Sequence, residues 1–408
     1  MQASPSLSIR PRAGVFLLTG LLLLISESPA LAAETVKRDI DDACRVGIQW
    51  LIRHQNPDGS WSPDRWKSRC TTDAPCSCRS AKEVPAGGTA GLGDNEVATT
   101  ALCLLAICGY SHTHQSGHYP EIQQAARRAI EWLISNQIDD EDNPELHGMF
   151  ASSRKRERPS RDATLSHALA LQALGFHLMI SRDRKLLRES VTRATEWSLR
   201  AQNEEGGWSS PNGTDSQASL EVSLHVLAIR SALACSMTQV IRTERERLDR
   251  SNEAALEWIR SRAAKQSEES VDTPLEIAAI ALAEAIAGRK EAYDEAPPKL
   301  KKHQPRWRAR TSKSESAVDP LFWYLSGYLH FQASNDQWGK KQAEELIVHQ
   351  RVQGCNDGSW DPIGDSVFDH SRMSTTALAL MTLELPRRSR AAWTSKLFHL
   401  EERRTTSK

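Results

Sequence analysis

Glu221 and His225 stand four residues apart in an apolar stretch, so a helix there carries both on one face. With His167 from an earlier stretch they make a candidate acid–base cluster, since imidazole and carboxylate exchange protons near neutral pH. The plainer alternative is a hydrogen-bonded polar pair lining a wet cavity. Asp94 and Glu96 head a further apolar stretch, Asp94-Asn95-Glu96-Val97-Ala98-Thr99-Thr100-Ala101. Carboxylates in that position either donate protons or cap the helix and favour its positive end. His112-Thr113-His114, with His118, and the cysteines Cys70, Cys76 and Cys78 are ligand types for a transition metal. No second C-x-x-C and no closed four-ligand set is visible, so neither metal nor cofactor is expected. Phe322, Trp323, Tyr324, Tyr328 and Phe331 concentrate aromatic surface in one stretch, with Tyr324, Tyr328 and Phe331 on one stripe. That stripe reads as core; Trp323, Tyr324 and Tyr328 would otherwise line a cavity for an apolar ligand.

The elements that must position these residues show up as a repeat. Ile48 to Trp61 aligns with Thr195 to Trp208: a helix ending in Gln-Asn, an acidic turn, then Gly-x-Trp or Gly-Trp. A third copy runs from Leu346 to Gln353 and on through Gly354-Cys355-Asn356-Asp357-Gly358-Ser359-Trp360. Ile130 to Gln137 with Gly148-Met149-Phe150 is a degenerate copy, and Leu256-Glu257-Trp258-Ile259 has lost its turn. The expected physics is a glutamine reaching the unpaired last carbonyls of its helix, a tight turn, and a tryptophan that packs back and donates its indole N–H.

Between these amphipathic helices lies a second set, rich in Ala and Leu, starting near Asn95, Ala163, Ser216, Thr273, Pro320 and Ser371. Each has an aspartate nearby: Asp94, Asp162, Asp215, Asp272, Asp319 and Asp369. Their all-round apolar character predicts burial on every side, and the amphipathic set predicts one wet face. Six buried helices alternating with six outer ones, the fifth outer one short near 289–295, predict an all-α α/α toroid of six hairpins. No stretch alternates with period two, so strands are not expected.

Lys+Arg and Asp+Glu are equal at 52 each, and with a pI near 7.2 this excludes a dedicated nucleic-acid binder. The runs Arg154–Arg158 and Lys299–Lys313 are therefore read as solvated loops. Arg10 and Arg12, the apolar run 13–25 and Ala30-Leu31-Ala32 form a signal peptide over 1–33, with cleavage near Ala32. The expectation is an exported protein (periplasmic or extracellular) with the toroid over 34–387 and a charged tail at 388–408. No later stretch is read as apolar enough to span a membrane.

The Gln-to-Gly-x-Trp repeat resembles the QW motif of the terpenoid cyclase and prenyltransferase superfamily, from about 37 to 386. It is most similar to exported bacterial prenyltransferase/squalene-oxidase repeat proteins, described as squalene-cyclase-like. Asp319-Pro320-Leu321-Phe322-Trp323-Tyr324, Gly358-Ser359-Trp360-Asp361-Pro362 and Thr375 to Glu384 carry that likeness, as does Gly148-Met149-Phe150 followed by Ser166-His167-Ala168. The resemblance implies the toroid; its catalytic motifs are incomplete or misplaced here. Asp39-Ile40-Asp41-Asp42 matches the class II D-x-D-D literally, but it starts an outer helix, where capping explains it. Asp94 and Glu96 are better placed, yet Val97 replaces the last carboxylate. The only D-x-C, Asp42-Ala43-Cys44, again lies on an outer helix, and the Gly-Cys-Gly-Glu-Gln of thioester toroids is absent.

A closed ring makes the first and last hairpins neighbours. Cys355 is therefore expected to pair with Cys70, Cys76 or Cys78, whose remaining two members can pair together; Cys103, Cys108 and Cys235 are expected as buried thiols. The functional expectation is a non-catalytic toroid that binds an apolar small molecule or a protein partner. The rival is an enzyme acting on an isoprenoid or other apolar substrate.

Overall fold

The structure is a computed structural model that describes residues 38–63, 65–70, 76, 96–109, 112–117, 119–151, 163–208, 218–237, 241–265, 273–308, 318–363 and 371–386. Residues 1–33, read above as a signal segment, the expected tail at 388–408, and Asp94, Asp162, Asp215, Asp272, Asp369, Cys78 and His118 lie outside them.

Twelve α-helices are found among the described residues. The odd-numbered helices are α1 (Ile40–Arg53), α3 (Pro120–Ser135), α5 (Arg184–Ala201), α7 (Arg245–Lys265), α9 (Ala292–Leu300) and α11 (Asp336–His349). The even-numbered helices are α2 (Glu96–Ile107), α4 (Ala163–Ser181), α6 (Ala218–Met237), α8 (Pro274–Ile286), α10 (Pro320–Gln332) and α12 (Arg372–Leu383). Each even helix packs on the next even helix, and α12 returns to pack on α2. The odd helices sit outside: α5, α7, α9 and α11 each lie against the two inner helices they connect, α3 lies against α2, and α1 leans on α12 and α2. This is an all-α toroid, closed by its first and last hairpins. No strand occurs among the described residues; the one isolated bridge pairs Gln137 with Phe150.

Sequence explains the layering. On α12 every residue from Arg372 to Leu383 is buried, and on α2 every residue from Val97 to Ile107. An inner helix touches two inner neighbours and the outer ring, so no side of it is left for water. By length and composition alone, 163–181 and 219–236 are apolar enough to cross a membrane, which corrects the expectation that no later stretch is. In this fold they are α4 and α6, and 89% and 83% of these spans are buried in protein.

Asp319 caps α10, accepting from the Leu321 and Phe322 amides at 3.0 and 3.1 Å. At α8 and α12 the cap differs from the aspartates expected. Thr273 forms a capping box with Glu276, and Ser371 accepts from the Met373 amide. Both hydroxyls stand immediately before the first helical residue, the position from which a side chain reaches the free N–H groups.

The turns after α1, α3, α5 and α11 are staples, in which the tryptophan, where present, donates as expected and the glutamine does not. The tryptophan closes its own helix: Trp61 donates to Leu51 O (2.8 Å), Trp208 to Ser198 O (2.8 Å) and Trp360 to Leu346 O (2.7 Å). The glutamine reaches outward. Gln55 donates to the turn carbonyl of Gly59 and to Ala125 O on α3, both at 2.9 Å. Gln137 does the same to Gly148 O and Ser190 O on α5, and Gln202 to Gly206 O and Ser251 O on α7. In the last copy this part is played by Gln350, not by Gln353, with bonds to Gly358 O and to Ala43 O on α1. A four-residue insertion separates Gln350 from its glycine relative to the first copy, and Cys355 rides in that insertion.

Candidate functional site

His167 lies on α4 and is fully buried. Its Nδ1 accepts the Phe150 amide at 3.1 Å, which places the proton on Nε2, facing Ser198 Oγ (3.0 Å) and Ala194 O (3.2 Å). Phe150 stands where Trp61 and Trp360 stand in the other turns. There the same backbone N–H is accepted by Thr100 on α2 (3.0 Å) and Thr376 on α12 (3.2 Å). His167 is therefore the α4 version of a repeated structural acceptor. Burial, then the neighbouring His225, holds its pKa well below the usual histidine range.

His225 on α6 stacks flat on Trp208, 4.5 Å between centroids at 5°, and its ring lies 6.3 Å from that of His167. Burial lowers its pKa to about 3. Glu221 is half-buried one turn earlier, and His225 makes no hydrogen bond to it. The expected acid–base cluster thus assembles as neighbouring rings in the core, not as a linked proton relay.

Glu96, the candidate acid at the head of α2, is ion-paired with Arg65. Asp39 caps α1 by accepting the Asp42 amide at 2.8 Å, as its place on an outer helix implies. Trp323, Tyr324 and Tyr328 are all buried on α10, and Trp323 meets Trp307 edge-on at 5.8 Å. Burial, followed by the nearby Tyr293 and Tyr324, raises the Tyr328 phenol well above its ordinary value.

His114 does not join the cysteines. Its Nε2 meets Asp183 at 2.9 Å and its Nδ1 meets His177 Nε2 at 2.8 Å, and the other nitrogen of His177 lies 3.4 Å from Cys108 Sγ. Cys108 and His177 are each 1% exposed, and the chain of contacts ties α4 to the loop before α3.

Cys70, Cys76 and Cys355 do converge, as ring closure implies, but no disulfide joins them to one another, so the expected pairing of Cys355 with Cys70 or Cys76 is not formed; Cys78 lies outside the described residues. What sequence reasoning missed is the residue they surround, His54, which caps the C-terminus of α1. A closed set of four ligand-type side chains is therefore present where none was visible in the sequence. The signal was available: closure brings the end of α1, and not only the loop after it, beside the last turn.

No family model matches this chain, and no curated protein matches it. A solved structure described as a novel alpha-amylase from Clostridium perfringens is similar over 86% of this chain and 99% of that one, with a TM-score of 0.53 and 11% identity. At that identity the likeness speaks for the fold alone.

Proposed function

We propose that this chain is an exported toroid, similar to the prenyltransferase/squalene-oxidase repeat proteins, that works by binding and not by catalysis. The observation that carries this reading is the equivalence of His167 with Thr100 and Thr376, which assigns the best acid–base candidate to holding the ring together. Of the inner-helix carboxylates, Glu96, Glu276 and Glu284 are engaged by Arg65, the Thr273 capping box and Arg289, and Glu221 stands half-buried on α6. A glycosidase-like reading, which the alpha-amylase likeness raises, needs two free carboxylates across a cleft. A polyene-cyclase reading needs a dry cavity with an aimed acid, whereas the inner helices α2 and α12 are buried on every side.

We place the binding surface on the longer connections. The outer-to-inner connections (54–95, 136–162, 202–217, 266–273, 301–319 and 350–371) are mostly long. The inner-to-outer connections (108–119, 182–183, 238–244, 287–291 and 333–335) are mostly short. Loops carried by a rigid scaffold are where recognition residues accumulate. The test is native mass spectrometry of the exported chain, together with turnover assays on squalene and on maltooligosaccharides. The reading expects no turnover, and binding that is lost when 152–162 is replaced by a Gly/Ser linker. Turnover that Glu96→Gln or His167→Thr abolishes would establish the enzyme instead.

A further inference from the structure

The four side chains that meet at the ring closure come from three separate places. His54 ends α1, Cys70 and Cys76 follow the short 3-10 turn Trp66–Arg69, and Cys355 sits in the 3-10 turn Gly354–Asn356. Their ligand atoms all lie within 4.8 Å of one another. His54 Nε2 is 3.3 Å from Cys355 Sγ, 3.5 Å from Cys76 Sγ and 3.8 Å from Cys70 Sγ. A tetrahedral zinc with bonds of about 2.3 Å to sulfur and about 2.0–2.1 Å to nitrogen puts each N···S pair about 3.5 Å apart. The same geometry sets S···S near 3.8 Å, so the sulfurs need to close by at most about 1 Å.

The surroundings match a metal ligand set in a second, independent way. His54 Nδ1 lies 2.9 Å from the Trp50 carbonyl. That bond places the ring proton on Nδ1 and turns the Nε2 lone pair to the three sulfurs, which is how a ligating imidazole is normally held. Trp50 also donates its indole N–H to the Cys355 carbonyl at 2.9 Å and stacks on His54 at 4.2 Å, so one residue orients two ligands. The Cys76 amide points at Cys70 Sγ from 3.4 Å, a donor for a thiolate. Arg53, Arg69 and Arg372 lie close enough to His54 for their charges to act on it. Three thiolates and one histidine around a divalent ion carry one net negative charge, which those arginines offset.

We propose that His54, Cys70, Cys76 and Cys355 bind one zinc ion and that this ion clasps the first hairpin of the ring to the last. Sulfur-rich tetrahedral sets select zinc, and four protein ligands leave no open position for substrate. The ion is therefore structural. It ties positions 301 residues apart, the span over which a clip restrains the unfolded chain most. Binding releases the thiol protons to solvent, so affinity falls with falling pH.

The test uses the full exported chain, purified without chelator. Elemental analysis and native mass spectrometry are expected to find one zinc per chain. Chelation removes it and lowers Tm, and added zinc restores both. Cobalt in its place gives the visible bands of a tetrahedral site and near-ultraviolet sulfur-to-cobalt charge transfer, without reference to any activity. Cys76→Ser and His54→Ala lose the zinc, whereas Cys235→Ser, a buried thiol outside the cluster, keeps it. Should the cluster variants fail to fold, the wild-type metal content and cobalt spectrum decide alone. A metal-free chain two mass units light, with Cys355 disulfide-bonded to Cys70, Cys76 or Cys78, overturns the proposal. A metal-free chain with all thiols reduced that takes up no zinc also overturns it.

Discussion

Gln350 donates to the carbonyl of Ala43 at 2.8 Å across a separation of 307 residues, and its side-chain oxygen accepts from Arg38 at 3.0 Å. The bond has the same form as those joining α1 to α3, α3 to α5 and α5 to α7. The chain therefore closes its ring with the device it uses to advance around it.

Replacing Gln350 by Leu leaves two buried carbonyls and the Arg38 guanidinium short of a partner. Each buried group left unpaired costs about 1–3 kcal/mol. The urea midpoint is expected to fall with the m-value unchanged, and Gln202→Leu is expected to act alike at its own seam.

Gly358 has φ of +97°, and a Cβ there would sit 2.3 Å from the Val46 carbonyl oxygen. Gly358→Ala thus meets both an unfavourable backbone conformation and fixed backbone, with a cost of about 1–3 kcal/mol or more. Gly339, inside α11, has nothing within 4 Å of the added carbon. Gly339→Ala is expected to stabilise by about 0.5–1 kcal/mol, so the two substitutions move Tm in opposite directions.

His167→Thr keeps an acceptor for the Phe150 amide, as Thr100 and Thr376 do for Trp61 and Trp360. His167→Leu fills the space and removes the acceptor. The leucine variant is expected to be the less stable of the two by about 1–3 kcal/mol in chemical denaturation. Equal stabilities would contradict the structural role assigned to His167.

His177 and His225 are each held at a pKa of about 3 by burial, against an ordinary 6.5. The unfolded chain takes up these protons below pH 6.5 and the folded chain does not until about pH 3. Stability is then fullest above pH 6.5 and falls as the pH drops from there towards 3, by up to about 1.4 kcal/mol per pH unit for each histidine. Tm measured from pH 7 to 4 should decline, and His225→Tyr, which keeps a ring against Trp208, should flatten the decline.

Local pattern determined a good deal by itself. The starts of the inner helices, read near Ala163, Thr273, Pro320 and Ser371, fall within a residue of those observed, because helix periodicity and capping are written in neighbouring residues. The closed ring was also legible, since six all-round apolar helices alternating with amphipathic ones have few other ways to bury their surface. What each polar side chain does was decided only by the tertiary structure. Gln55 bonds to a carbonyl on the following outer helix, His167 proves to be a counterpart of Thr100, and His54, unremarkable beside Gln55 in sequence, meets three sulfurs from two ends of the chain. Hydrogen bonds and ligand sets depend on ångström distances between segments hundreds of residues apart. Those distances are set by how whole helices pack, and no local pattern encodes them.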